Sequence, residues 1–239
     1  MYTIPKKLLS NGSTNAKTAK NSLKTFILYL SPYNQNSKKI NICPKASKGC
    51  AAACLFTAGR GAMSSVILSR TNKTEYYLND KKTFIKQLAK EIITKHKTAL
   101  KKGEKIAFRL NGTSDLDFIY LLKKYASLDI ETLQNAVFYD YTKILGKVKK
   151  YINHKNYFVT FSRAEDNETE TIEALKIGSN VSAVFNVGKD QPLPKKYKGF
   201  NVIDGDKSDI VMIYNKNSIL GLRAKGDAKK DKSNFVINL

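Results

Sequence analysis

The chain has no tryptophan, two histidines, three cysteines and five arginines among 239 residues. So few imidazoles confine histidine ligation and proton transfer to His96 and His154. An odd number of cysteines argues against a simple disulfide framework. No apolar run reaches the roughly eighteen residues a membrane span needs, and MYTIPKKLLSNGSTNAKTAKNS has no apolar segment leading to a cleavage site. A cytoplasmic protein with no membrane partner and reduced thiols is therefore expected. Acidic residues are scarce as well: 20 Asp and Glu stand against 42 Lys and Arg, a formal charge of +22. Such a surface attracts polyanions, because each phosphate neutralised releases counterions, and nucleic acid or a nucleotide is the expected partner. The Lys- and Asn-rich vocabulary also fits an AT-rich genome, so part of the charge has a genomic explanation.

What is present is concentrated. All three cysteines lie in NICPKASKGCAAACLFTAGRG, as Cys43, Cys50 and Cys54. Thiolates are soft ligands, and three of them in one loop suit an iron–sulfur cluster, with a fourth iron open to a small ligand. Zinc is the alternative, with a fourth ligand from His96, His154 or a carboxylate, and three small buried thiols are the plainest one. Cys50 and Cys54 are four apart and share a face if helical, while Pro44 and Gly49 let the preceding loop fold Cys43 back toward them.

A polar arm over residues 1–24 precedes one α/β domain over 25–239, of which 42% apolar composition supports the core. Apolar runs at 26–32, 106–112, 136–142, 157–163, 181–187, 200–206 and 219–224 read as strands. Helices are expected at about 51–69 and 81–97, and helix-compatible segments follow the runs at 106, 136 and 157. Strands alternating with helices indicate a parallel sheet, and about six such units favour a partial TIM-like (β/α) barrel over a doubly wound sheet. In such folds the strand C-termini gather at one face. There the sequence places Arg109, Asn111, Ser114 and Asp115, then Asp140, Tyr141 and Lys143, then Arg163, then Asp204 and Asp206. Arg60, Arg109 and Arg163 stand out in a Lys-biased chain, and with Lys143 they are the candidate phosphate grips. Ser114 or Asp115 could equally cap a helix, and Asp204-Gly-Asp206 could be a plain turn.

The segments NAKTAK, CPKASKGCAAACL, AGRGAM, RLNGTSDLDF, FYDYTK, TFSRAEDN and VIDGD resemble the phage gene product 88 proteins over about residues 15–226. That resemblance implies phage or prophage origin and the cytoplasm of the host. The cysteine segment resembles, more distantly, radical S-adenosylmethionine-like proteins. Their six-unit partial barrel carries a [4Fe–4S] cluster loop after the first strand and a methionine-gripping segment after the second. The resemblance implies that Cys43, Cys50 and Cys54 hold the cluster and that Asn111, Ser114 and Asp115 help hold S-adenosylmethionine, with an external electron donor. The spacing C-x6-C-x3-C departs from the usual C-x3-C-x2-C, and Ala53 stands where an aromatic residue is usual.

Three functions follow as expectations. The first is an enzyme of radical S-adenosylmethionine-like type acting on a nucleotide or nucleic acid, with Asp140 and Tyr141 as candidate catalytic groups and Asp204 near the cofactor. The second is a non-catalytic nucleic-acid-binding phage protein with a structural metal. The third is a DNA-nicking replication protein using Tyr139 or Tyr141 as nucleophile and Asp204 or Asp206 for a divalent ion.

Overall fold

In the computed structural model the described residues are 2–14, 18–20, 22–54, 59–208 and 210–239. The strands are β1 (Leu9–Asn11), β2 (Lys24–Leu28), β3 (Ile106–Arg109), β4 (Ala136–Thr142), β5 (Tyr157–Ser162), β6 (Val181–Phe185), β7 (Lys196–Tyr197), β8 (Phe200–Asp204), β9 (Ile219–Arg223) and β10 (Val236–Ile237). The helices are α1 (Lys48–Ala52), α2 (Ser64–Asn79), α3 (Lys81–Lys101), α4 (Phe118–Ala126), α5 (Leu145–Tyr151), α6 (Glu168–Lys176) and α7 (Val211–Tyr214). The strands form a ten-stranded sheet in the order β1-β2-β3-β4-β5-β6-β9-β8-β7, with β10 on β6. Among the described residues no pairing joins its two ends. Antiparallel pairing is confined to β1 with β2 and β7 with β8 among the registers observed. The expected strands all occur: that at 136–142 has its expected bounds, and the others end one to four residues earlier than expected.

The chain divides into two compact units. One comprises Met1–Pro44, Ala62–Tyr139 and Lys155–Tyr157. Its sheet face stacks Phe26 on Phe108 at 5.8 Å between ring centroids and Phe108 on Phe138 at 5.0 Å. A fully buried Phe of this kind contributes about 2–3 kcal/mol of transfer free energy. Helix α3 buries Phe84, Ile85, Leu88, Ala89, Ile92, His96 and Ala99, which recur at helical spacing. Asp80 caps it by accepting from the Thr83 N–H at 3.1 Å. That bond, with the Thr83 side chain first among its causes, holds the Asp80 carboxyl below its ordinary range. The polar N-terminal segment joins this unit's sheet: β1 pairs with β2, and the Leu8 and Leu9 N–H groups donate to the Glu91 carboxylate at 2.8 and 2.9 Å.

The helix expected over 51–69 is not one helix. Its residues 55–58 lie outside the described residues, α1 ends at Ala52, a 3-10 turn occupies Gly59–Ala62, and α2 starts at Ser64. Glycines at 59 and 61 oppose helix there. Helix α2 runs ten residues past the expected end because its second half buries polar groups that hydrophobic periodicity does not register. Thr74 accepts from the Ser31 N–H at 2.8 Å, and Glu75 accepts from the Ser37 N–H and hydroxyl, both at 2.6 Å. Burial raises the Glu75 carboxyl, but the two Ser37 bonds and the nearby Lys38 outweigh it and bring it below the ordinary range.

The other unit comprises Lys45–Gly61, Asp140–His154 and Phe158–Leu239. Its core gathers Val148, Phe161, Ala174, Leu175, Val181, Ala183, Phe185, Ile219 and Ile237. Strand β9 inserts between β6 and β8, so Ile219 is in register with Val181 on one side and Val202 on the other. A side chain at Gly221 would meet Val202 Cγ1 at 2.8 Å, which is why the centre of β9 has none. Among the described residues no helix is long and apolar enough to cross a membrane.

Candidate functional site

In the first unit, parallel strands β2 and β3 deliver their following loops side by side. Gly112 N–H donates to Leu28 O at 2.9 Å, and a side chain at Gly112 would run into the Tyr29 ring at 2.5 Å and Ile27 Cγ2 at 2.8 Å. That close approach places Cys43 against the loop after β3. Its Sγ donates to Thr113 O at 3.7 Å and accepts from the Tyr33 N–H at 3.5 Å, while Asp115 N–H donates to Ile42 O at 3.0 Å. Cys43, Asn111, Ser114 and Asp115 are thus brought together. Asn111 is buried and builds the loop: its Oδ1 accepts from the Ser114 hydroxyl at 2.9 Å and the Leu116 N–H at 2.8 Å, and its Nδ2 donates to Leu116 O at 2.9 Å. Arg109 ends β3 half-buried, in register with Ile27.

In the second unit, Cys50 sits in the first turn of α1. The N-cap hydroxyl of Ser47 accepts from the Cys50 N–H at 3.1 Å and donates to Glu165 Oε2 at 2.7 Å, while Gly49 N–H donates to Glu165 Oε1 at 2.7 Å. One carboxylate, arriving just after β5, therefore fixes the start of the cysteine helix, where negative charge also complements the exposed N–H groups. Gly49 has no room for a side chain, since a Cβ would meet the Ser233 hydroxyl, Phe235 Cβ at 2.7 Å and Glu165 Oε1 at 2.9 Å. Ala53 packs with Ala224, Ala228 and Val236. Glu165→Ala removes the acceptor of two hydrogen bonds, and it is expected to cost about 2–3 kcal/mol, read from urea unfolding. Unchanged stability would show that α1 is held by packing alone.

The other strand-end groups of this unit are largely engaged by the chain itself. Arg223 donates through Nη1 to Asp204 Oδ1 and Oδ2 at 3.0 and 3.1 Å and approaches Asp206 Oδ2 at 3.4 Å, while its Nε and Nη2 donate to Gln191 O at 3.1 and 2.9 Å. Lys225 reaches Asp206 Oδ1 at 2.6 Å. Hydrogen bonding to Asp204 and its charge, with Asp206, raise the Arg223 guanidinium above its ordinary value against the effect of burial. Asp204 and Asp206 are neutralised by this network, and no divalent ion is needed to explain their pairing. Arg163 grips backbone: Nη1 donates to Asn234 O at 2.5 Å and Phe235 O at 2.9 Å, and Nε lies 3.5 Å from Glu168. Lys143 Nζ stands 5.7 Å from the Phe235 ring centroid. Asp140 is 1% exposed and Tyr141 half-buried. As neighbours on β4 they face opposite sides of the strand and do not approach one reacting atom from the same side. Tyr139 is 0% exposed, which leaves Tyr141 as the phenol of the nicking scheme. The backbone of Arg60 lies in the 3-10 turn Gly59–Ala62; its side chain is outside the described residues.

None of the three cysteines is in a disulfide, and each is half-buried. Among the described residues no group of three or more His, Cys, Asp and Glu side chains is assembled to hold a metal ion. His96, a candidate fourth zinc ligand, is buried on α3 with Nε2 2.5 Å from Gln134 O. The residues that sequence reasoning missed are Ser47 and Glu165 as supports of the cysteine helix and Arg223 as partner of the Asp pair. Ser47 carried a legible signal, a hydroxyl three residues before Cys50 at a helix start. The pairing across 118 positions to Glu165 carried none.

A family model described as gene product 88 matches residues 7–239. No curated protein and no solved structure matches the chain.

Proposed function

From the premise that the chain belongs to the gene product 88 family, we propose that it is a phage or prophage protein that binds an iron–sulfur cluster through Cys43, Cys50 and Cys54. In this reading it acts on a nucleotide or nucleic acid in the host cytoplasm by radical S-adenosylmethionine-like chemistry. The supporting observation is the seating of Cys43 Sγ 3.7 Å from Thr113 O, which puts the first cysteine beside the polar loop of the next parallel strand. That adjacency is what cofactor chemistry there requires. Cys43, Cys50 and Cys54 would hold such a cluster, which when bound would supply one-electron reduction of S-adenosylmethionine with an external donor. The chain's own contributions are separate. Asn111 shapes the loop, Gly112 lets it approach β2, Asp115 anchors it to Ile42, and Glu165 with Ser47 aims the helix bearing Cys50. Finer fold placement belongs to the same reading. Strands β2 to β6 follow one another in chain order and the registers observed among them are parallel, so crossovers of the usual right hand lie on one side and suit a partial barrel.

Reconstituted protein given dithionite and S-adenosylmethionine is expected to release 5′-deoxyadenosine and methionine. A cluster-bearing preparation that binds S-adenosylmethionine but releases neither, beside an active control enzyme, would remove the radical step and leave a metal-stabilised binding protein.

A further inference from the structure

Helix α3 carries its charge asymmetrically. Glu91 turns to the N-terminal segment, whose Leu8 and Leu9 N–H groups it accepts. Lys82, Lys86, Lys90 and Lys97 instead line a groove between α3 and the end of α4, together with Ile93, Thr94 and Tyr125. All four lysines are exposed, and no carboxylate lines the groove. On the flanking segments Asp80 caps α3, and Asp129 pairs with Lys123 at 3.3 Å. Positions 82, 86, 90 and 97 fall on one face, and at about 1.5 Å per residue they span about 22 Å, the first three repeating about every 6 Å.

Aromatic surface adjoins the stripe. Tyr125 is half-buried at the groove's edge, and Tyr120 is 48% exposed on the same helix. Lys124 Nζ lies 5.5 Å from the Tyr120 ring centroid and 5.3 Å from that of Tyr125.

We infer that the α3/α4 groove is a binding surface for single-stranded nucleic acid, with Lys82, Lys86, Lys90 and Lys97 on phosphates and Tyr125 under an unstacked base. The inference rests on the reading that the partner is a nucleic acid, and adds where and in what form it binds. A lysine repeat of about 6 Å can follow the phosphates of one strand, and the choice between single strand and duplex rests on the aromatic side chains. Aromatic side chains beside a cationic track need exposed base faces, which a duplex withholds. The whole surface belongs to one compact unit and includes no cysteine, so binding here does not depend on a cluster.

Fluorescence anisotropy with labelled oligothymidylate tests this on the full-length chain without iron. Lys86→Glu/Lys90→Glu is expected to weaken binding at least about tenfold and to flatten the slope of log K against log salt by about 1.4, two phosphate contacts at about 0.7 each. Tyr125→Ala is expected to weaken it about tenfold while leaving the slope unchanged. Lys176→Glu/Lys189→Glu, an equal charge change at exposed positions in the other unit, should bind within about twofold of the parent. Equal losses in both double variants would overturn the groove in favour of diffuse attraction while the nucleic-acid reading stands. Duplex bound as tightly as the single strand, with Tyr125→Ala neutral, would overturn the single-strand assignment. No binding by the parent in dilute buffer would overturn the inference and the nucleic-acid reading together. Retained helical circular dichroism confirms that each variant is folded.

Discussion

Anaerobically reconstituted protein is expected to hold about four irons and four acid-labile sulfides per chain and to be brown, and Cys50→Ala to hold close to none. The variant is informative because the structural duties at position 50 are performed by backbone. The Cys50 N–H, not its sulfur, donates to Ser47 Oγ, so alanine keeps the capped first turn of α1. Alanine is also a better helix former than cysteine. The unfolding midpoint should therefore move little while the colour disappears, which separates loss of a ligand from loss of a fold. Stoichiometric zinc and no iron, under conditions that load a control protein with clusters, would remove the cluster and favour a structural metal. Undiminished iron in the variant would remove Cys50 from the ligand set.

A stability loss as large as that of Glu165→Ala is expected from Arg223→Met. Its side chain is 12% exposed and its guanidinium faces Asp204 and Asp206, whose side chains are 26% and 17% exposed. Removing one partner of a buried pair typically costs about 3–5 kcal/mol, because the other charge is left unsolvated. Partial exposure here lets water screen the stranded carboxylates, so about 2–3 kcal/mol is expected from denaturant unfolding. Adding Asp204→Asn and Asp206→Asn to Arg223→Met should recover more than half of that loss, since the uncompensated charge is gone. If the triple variant is less stable than the single one, the carboxylates have partners whose contribution exceeds that of Arg223.

The sheet was readable because parallel strands buried on both faces are continuous apolar runs, and IAFR, AVFYDYT and VSAVF are of that kind. Strand order was not, because nothing in ILGLR says that it enters between two strands made earlier. The second half of α2 was hidden by its own chemistry: Thr74 and Glu75 are buried as hydrogen-bonding groups, and an apolar stripe is the wrong template for them. At the site, residue types were legible and partners were not. Arg163 and Arg223 illustrate this. The planar fork is used at both, as a retained arginine in a lysine-rich chain suggests, but it closes on the chain's own carbonyls and carboxylates. Asn111 stood out as a polar group at a strand end, and its amide instead defines the turn on which its neighbours are displayed.

The insertion of β9 bears on how the molecule is made on the ribosome. Strand β8 is synthesised before the strand that joins it to β6, and β6 finds further partners at Val236 and Ile237. A nascent chain that has reached Asn217 thus presents the β9-facing edge of β6 and the β7–β8 hairpin with no strand to connect them. At typical elongation rates of about 5–20 residues per second, that state lasts on the order of a second before the remaining strands emerge. During that interval, unpaired strand edges are open to other chains.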